Sequence, residues 1–199
     1  MARSKDPALK KARCELIADT AITVLSEVGW KVMTLSGVAK RAGVSKGVVT
    51  YWFASKDLLI LAALDRFHER YQQRLFSLAQ EDKPVRSRLR DLLEVAFPSH
   101  QVLQEELNFH VEILSYAKEH PEAKQKLLES YKSFQNMCEW MLQLGVEEGY
   151  VKAEKIEGLY LFIHALIDGL TMRLAYAPEH DLVEIREQLF QLLEKWLCA

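Results

Sequence analysis

The 199 residues suffice to bury a core in one or two domains, and a net charge of −2 favours no class of partner by itself. Three scattered cysteines (Cys14, Cys138, Cys198) form no Cys-x-x-Cys pair and no Cys/His cluster, which argues against a disulfide framework or a zinc site and fits a reducing cytoplasm. The polar, charged start is unlike a signal peptide, and the longest apolar stretches, Leu58–Leu64 and Leu159–Ile167, fall short of the ~20 residues that cross a bilayer, so no membrane partner is expected.

A first helix is predicted over about residues 7–28, with Leu9, Ala12, Leu16, Ile17, Thr20, Val24 and Val28 on its inner face and Gly29 ending it. Its basic residues Arg3, Lys5, Lys10, Lys11 and Arg13 fit either phosphate contacts or a frayed terminus. Thr34 is an N-cap for a second helix, in which Leu35, Val38, Ala39 and Ala42 share one apolar face. Gly43 supplies the left-handed turn that closes it. Ser45 caps a third helix running to about Phe53, with Val49 and Phe53 inward and Lys46, Gly47, Val48, Thr50 and Tyr51 mostly outward. Gly47 costs a helix about 1 kcal/mol relative to Ala, which makes sense where the backbone must lie close to something outside. The pattern is a helix-turn-helix, the device that lays a helix in the major groove of DNA.

Ser55 caps a fourth helix over about 55–79, and residues 80–83 break it. Pro84 opens a fifth helix and Pro98 ends it; a sixth follows to about Lys118. His120-Pro121 starts a seventh, striped by Leu127, Leu128, Tyr131, Phe134, Met137, Met141 and Leu144. The eighth spans about 153–176, and the ninth runs from about Asp181. No segment alternates as a strand does, so the fold class is all-α with about nine helices. Residues 1–56 carry ten Lys or Arg against four Asp or Glu, a balance of +6; the rest carry sixteen against twenty-four, a balance of −8. A basic front and an acidic rear suit a DNA-binding end and a separate body.

Thr34, Val38-Ala39, Ala42-Gly43-Val44-Ser45, Gly47, Tyr51-Trp52-Phe53 and Lys56 together resemble the signature of the TetR family of bacterial one-component repressors, over about the first 60 residues. Many members have a phosphate-contacting Tyr where this chain has Thr50; a small residue followed by two aromatics looks more like the betaine-regulator branch. The resemblance implies a DNA-binding domain over 1–56 and a helical effector-binding and dimerisation domain over 57–199. On this reading Lys46, Thr50, Tyr51, Trp52 and Lys56 clamp phosphates, Val48 and Thr50 meet thymine methyls or base edges, and Thr34, Lys40, Ser45 and Gly47 complete the DNA-binding set. The last two helices pair with their symmetry mates in a homodimer through Leu159, Ile163, Leu166, Leu170, Leu182, Ile185, Leu189, Leu192 and Trp196, with small Ala165 and Gly169 allowing close approach. Two-fold symmetry then calls for a near-palindromic operator in double-stranded DNA.

The family likeness also implies a small-molecule effector among helices five to eight, moving the fourth helix as a lever. Candidate lining residues are Phe97, Phe109, His110, Ile113, Tyr116, Phe134, Met137, Trp140, Met141, Phe162, His164, Asp168 and Met172; aromatics and methionines at helical spacing are more often plain core than a binding site. Asp168 lies between Ile167 and Gly169 in an apolar helix, where a buried carboxylate calls for a partner. Arg173 or a histidine would pair it structurally; a cationic ligand faced by Trp140 or Phe109 is the alternative, and Glu112 offers similar chemistry. Neither a nucleophile elbow nor a phosphate loop nor metal-ligand spacing is present, so no cofactor, metal or catalytic residue is expected. A ligand-independent DNA-binding protein remains the second reading. A regulator of this kind works in the cytoplasm, at the nucleoid.

Overall fold

The computed structural model describes residues 7–80, 82–153 and 158–198, with backbone alone at 79 and 80. Nine α-helices and no strand occupy the described residues: α1 (Pro7–Val32), α2 (Leu35–Arg41), α3 (Lys46–Trp52), α4 (Lys56–Gln80), α5 (Val85–Ala96), α6 (His100–Ala117), α7 (Pro121–Glu147), α8 (Leu159–Ala175) and α9 (Leu182–Cys198). Arg3 and Lys5, Glu81 in the expected break, and residues 154–157 at the expected start of the eighth helix lie outside the described residues. That helix begins at Leu159 rather than near 153, because Gly158 has φ +71°, a left-handed conformation outside the helical range. Two compact units divide the chain: one takes it up to Tyr71 together with Asn108–Leu127, the other takes Gln72–Leu107 and the chain from Leu128 onward.

In the first unit, α1 packs through Ile17, Ala18, Ala21, Ile22, Val24 and Leu25, while Leu9, Leu16 and Val28 of the expected inner face are exposed. Spacing by four drifts about 40° per step around a helix of 3.6 residues per turn, so a line from 16 to 28 leaves the packed side. Gly29 does not end the helix. It breaks it, at φ +78° and ψ 161°, and a further turn closes through Met33 N–H to the Gly29 carbonyl at 3.0 Å. Val38, Ala39, Val49, Phe53, Leu59, Ile60 and Leu64 complete the core with Phe109, Ile113, Tyr116, Ala117, Ala123 and Leu127.

The second unit is built on α5 and α9. Leu89, Leu92 and Leu93 are buried, as are Leu189, Phe190, Leu193 and Leu197. Above this contact Arg86 grips Glu194 through two bonds of 2.6 and 3.2 Å, and Arg90 grips Glu187 through two of 2.6 and 3.3 Å. Both guanidinium groups lie over the Phe190 ring, at 5.1 and 4.0 Å. The Arg86 bond leads in holding the Glu194 carboxyl below its ordinary range, and the Arg90 bond does the same for Glu187. Gly145 is forced by packing, since a Cβ there would stand 2.6 Å from Val151 Cγ2.

Candidate nucleic-acid interface

The geometry of the reading head follows from its caps. Thr34 is extended, at φ −132° and ψ 152°, and its Oγ1 accepts the Gly37 N–H at 3.0 Å. Gly43, at φ +67°, turns the chain so that Val44 N–H reaches the Ala39 carbonyl at 3.0 Å, closing α2. Ser45 Oγ then accepts the Val48 N–H at 3.3 Å to open α3, and Ser55 Oγ accepts the Leu58 N–H at 3.1 Å to open α4. With Val49 and Phe53 buried beneath it, α3 exposes Lys46, Gly47, Thr50 and Tyr51 on one side. Val48 and Trp52 are half-buried, and the Tyr51 ring stands edge-on to Trp52 at 4.9 Å. Thr34, Lys40 and Ser45 are exposed; half-buried Lys56 donates from Nζ to the Lys31 carbonyl at 3.1 Å. Residues 28–56 contain five Lys or Arg and no Asp or Glu; Glu27 pairs with Arg41 at 2.6 Å, and the four lysines offer a polyanion their charge.

The α1 break is held from α6. It strips Trp30 N–H of a helical acceptor, and Glu112 Oε2 supplies one at 2.9 Å. A Cβ on Gly29 would come within 2.9 Å of that same oxygen. Trp30 Nε1 donates to Ser115 Oγ at 3.3 Å, and the Tyr116 ring meets Trp30 edge-on at 5.3 Å. Tyr116 O–H donates to Asp57 Oδ1 at 2.8 Å; burial and then this bond hold its proton on. His120 stacks on Tyr116 at 3.7 Å. Glu112 is thus engaged by the backbone of α1. Its partner lies 82 residues away, and nothing in the local sequence signals the pairing.

The thirteen effector candidates are divided between the two units. Phe109, His110, Ile113 and Tyr116 belong to the first unit, where Phe109 packs on Phe67 at 4.6 Å. Beside them His68 is kept neutral, its pKa lowered to about 4 by burial and by His110. In the second unit Phe97 and Phe134 are buried, and Met137, Met141 and His164 are half-buried. Phe134 stacks on His164 at 4.5 Å. Trp140, Phe162, Asp168 and Met172 are exposed, which corrects the expectation of a buried carboxylate: Asp168 lies on the outer side of α8, 3.8 Å from His164 Nε2. A cavity of about 40 Å³ does open in this unit, lined by Val85, Leu89, Leu92, Cys138, Met141, Leu142, Tyr150, Val151, Ile163, Leu193 and Leu197. Of the candidates only Met141 reaches it. Its aliphatic lining looks like any helix-packing residue in sequence. Burial pushes the Cys138 thiol up to about 12, and Tyr150 O–H is already donated to Glu194 Oε1 at 2.9 Å.

The nine interface candidates split by face. Leu159, Ile163, Leu182 and Leu189 are buried inside the unit, and Leu166, Leu170 and Ile185 are half-buried. Leu192 and Trp196 are exposed, and so is an apolar side of α8: Leu161, Phe162, Met172 and Tyr176, each 59–66% exposed, beside Ala165 and Gly169; Phe162 and Met172 are there surface residues rather than the pocket lining expected of them. Phe162 and Trp196 meet edge-on at 6.4 Å, joining the outer sides of α8 and α9. Among the described residues no single helix is long and apolar enough to cross a membrane.

Residues 17–63 match the family described as bacterial regulatory proteins, tetR family, and residues 85–197 match the BetI-type transcriptional repressor C-terminal family. The chain is 25% identical over 178 residues to the HTH-type transcriptional regulator BetI of Yersinia pestis, covering 86% of this chain and 85% of that one. It is 22% identical over 192 residues to the fatty acid metabolism regulator protein of Bacillus subtilis, covering 92% and 95%. A putative transcriptional regulator from Saccharomonospora viridis, solved in complex with choline, shares the fold with a TM-score of 0.82 at 21% identity, covering 96% and 99%.

Proposed function

The chain belongs to the TetR family of bacterial transcriptional regulators, with a BetI-type C-terminal region, and on that premise we propose how it reads DNA, pairs and responds. The family is one of regulators, not enzymes, whose members bind DNA operators and small-molecule effectors. Residues 1–56 act as the DNA-binding domain and 57–199 as the effector-binding and dimerisation domain. The carrying observation is α3: a capped helix with Lys46, Gly47, Thr50 and Tyr51 exposed together, within a stretch, 28–56, that contains no Asp or Glu. Thr34, Lys40, Ser45, Val48, Trp52 and Lys56 flank that surface and complete the contact set.

The homodimer forms through the outer sides of α8 and α9. Leu161, Phe162, Met172, Tyr176, Leu192 and Trp196 are too contiguous an apolar surface to stay in water. The protein acts as a cytoplasmic repressor at a near-palindrome, with half-sites about one helical turn apart or a multiple of it. Its effector binds the DNA-free state more tightly, since a ligand with equal affinity for both states shifts nothing. Similar proteins are described with choline and with fatty acid metabolism. The cavity beside Met141 has no carboxylate in its lining, which suits an alkyl group better than a bare quaternary ammonium. The test is a mobility shift on DNA selected by the protein, titrated with choline and with saturated fatty acids. Loss of the complex with one of them supports induction; a complex indifferent to every candidate refutes it.

A further inference from the structure

Among the exposed hydroxyls of the reading head, those of Thr34, Ser45 and Thr50 sort into two kinds by their hydrogen bonds. Thr34 Oγ1 and Ser45 Oγ accept backbone N–H groups, so each keeps its own proton to donate. Thr50 is the reverse. Its Oγ1 donates to the Lys46 carbonyl at 3.1 Å, with the Gly47 carbonyl also within reach at 3.3 Å. A hydroxyl has one proton, and here the helix itself holds it. With that proton engaged, exposed Thr50 has its γ-methyl and a lone pair left for an outside partner. Phosphate oxygens only accept, so nothing at Thr50 attracts one. Gly47 lies one turn earlier on the same side, and a Cβ there would have only Ser45 Oγ within 4 Å, at 3.7 Å. The methyl therefore stands beside bare backbone.

We propose that Thr50 is a specificity-determining residue that reads a base: its γ-methyl seats against a thymine 5-methyl in the clearance left by Gly47. This rests on α3 being the DNA-reading helix. Thymine is the only base to present a methyl in the major groove. Burying one such group is worth about four-fold in affinity per half-site. Position 50 is, in this chain, a reader of sequence.

The purified full-length protein selects duplexes from a random pool, and the tightest is resynthesised with deoxyuridine at one thymine at a time. Wild type, Thr50→Val and Thr50→Ser are compared on these and on a non-specific duplex by fluorescence anisotropy, with circular dichroism checking that each folds. One thymine per half-site should matter: losing its methyl weakens wild type and Thr50→Val about four-fold, whereas Thr50→Ser, already weakened about four-fold per half-site, does not notice the change. Thr50→Val keeps the γ-methyl and gives up only a hydroxyl that the helix already holds, so it should stay within about two-fold of wild type on every duplex. Thr50→Val binding weakly to specific and non-specific DNA alike would mark a phosphate contact and overturn the proposal. So would the absence of any thymine whose methyl wild type senses and Thr50→Ser ignores. A pool that yields no enriched duplex defeats the DNA-reading role itself, and the proposal with it; enrichment followed by either of the other results defeats the proposal alone.

Discussion

Gly47→Ala separates what the fold needs from what DNA needs. A β-carbon at this position has only Ser45 Oγ within 4 Å, at 3.7 Å, an ordinary contact, and Gly47 is not among the glycines with positive φ. Nothing inside the protein therefore objects to alanine. Glycine in a helix interior is about 0.5–1 kcal/mol worse than alanine, because its unfolded backbone has more freedom to lose. The variant should be more stable by about that amount, a rise in melting temperature of about 1–4 °C for a chain of this length. Its DNA affinity should move the other way. A methyl group where groove and backbone meet displaces contacts worth about 1–3 kcal/mol each, which is a loss of about five-fold or more. Thermal melts of the free protein and anisotropy titrations on the selected duplex, at one fixed salt concentration, give the two numbers. Alanine binding as tightly as glycine would refute the reasoning, and so would a lower melting temperature, which would make Gly47 structural.

Glu112→Ala removes the carboxylate that receives Trp30 N–H and should lower the unfolding free energy by about 1–3 kcal/mol; Glu112→Gln keeps an acceptor and should cost less, both read by urea denaturation. Gly29→Ala should destabilise by more than about 1 kcal/mol in the same assay, since φ +78° is left-handed and the new Cβ meets the Glu112 carboxylate. His68 has a folded pKa near 4 against 6.5 unfolded, so the unfolded chain binds the extra proton first. Its neutral form thus stabilises the fold above about pH 6.5, and that contribution, at most about 3 kcal/mol, is lost as the pH falls towards 4. Urea melts across this window should therefore show a shallower slope for His68→Gln. Glu194 and Glu187 add a separate loss at lower pH, as their depressed carboxyls protonate. Phe162→Glu puts a charge in the middle of the exposed α8 surface and should halve the mass seen by sedimentation while leaving helicity unchanged; an unaltered mass would move the dimer interface elsewhere.

The head is legible in sequence because its determinants are local. Thr34, Gly43, Ser45 and Ser55 each act within five residues of themselves, and all four do what their types suggest. Gly29 was legible only as a stop. That the helix resumes depends on a carboxylate 82 positions away, which no local pattern announces. In α8 the difficulty is different: Ile163 and Phe162 are adjacent and equally apolar, yet one is buried and the other 60% exposed. A helix apolar all round does not say which side is its own core and which awaits a partner. Asp168 misled for the same reason, since apolar neighbours in sequence imply burial only on the packed side.

The core beneath the reading helix draws Phe109, Ile113, Tyr116, Ala117, Ala123 and Leu127 from the end of α6 and the start of α7. Modular engineering has to respect that composition. A chimera that grafts residues 1–56 onto a foreign sensor carries the caps, the charges and α3, but leaves this part of the hydrophobic filling behind. A portable version has to include α4 to Tyr71 and a covalently linked segment 108–127, or redesign the exposed underside as a new surface.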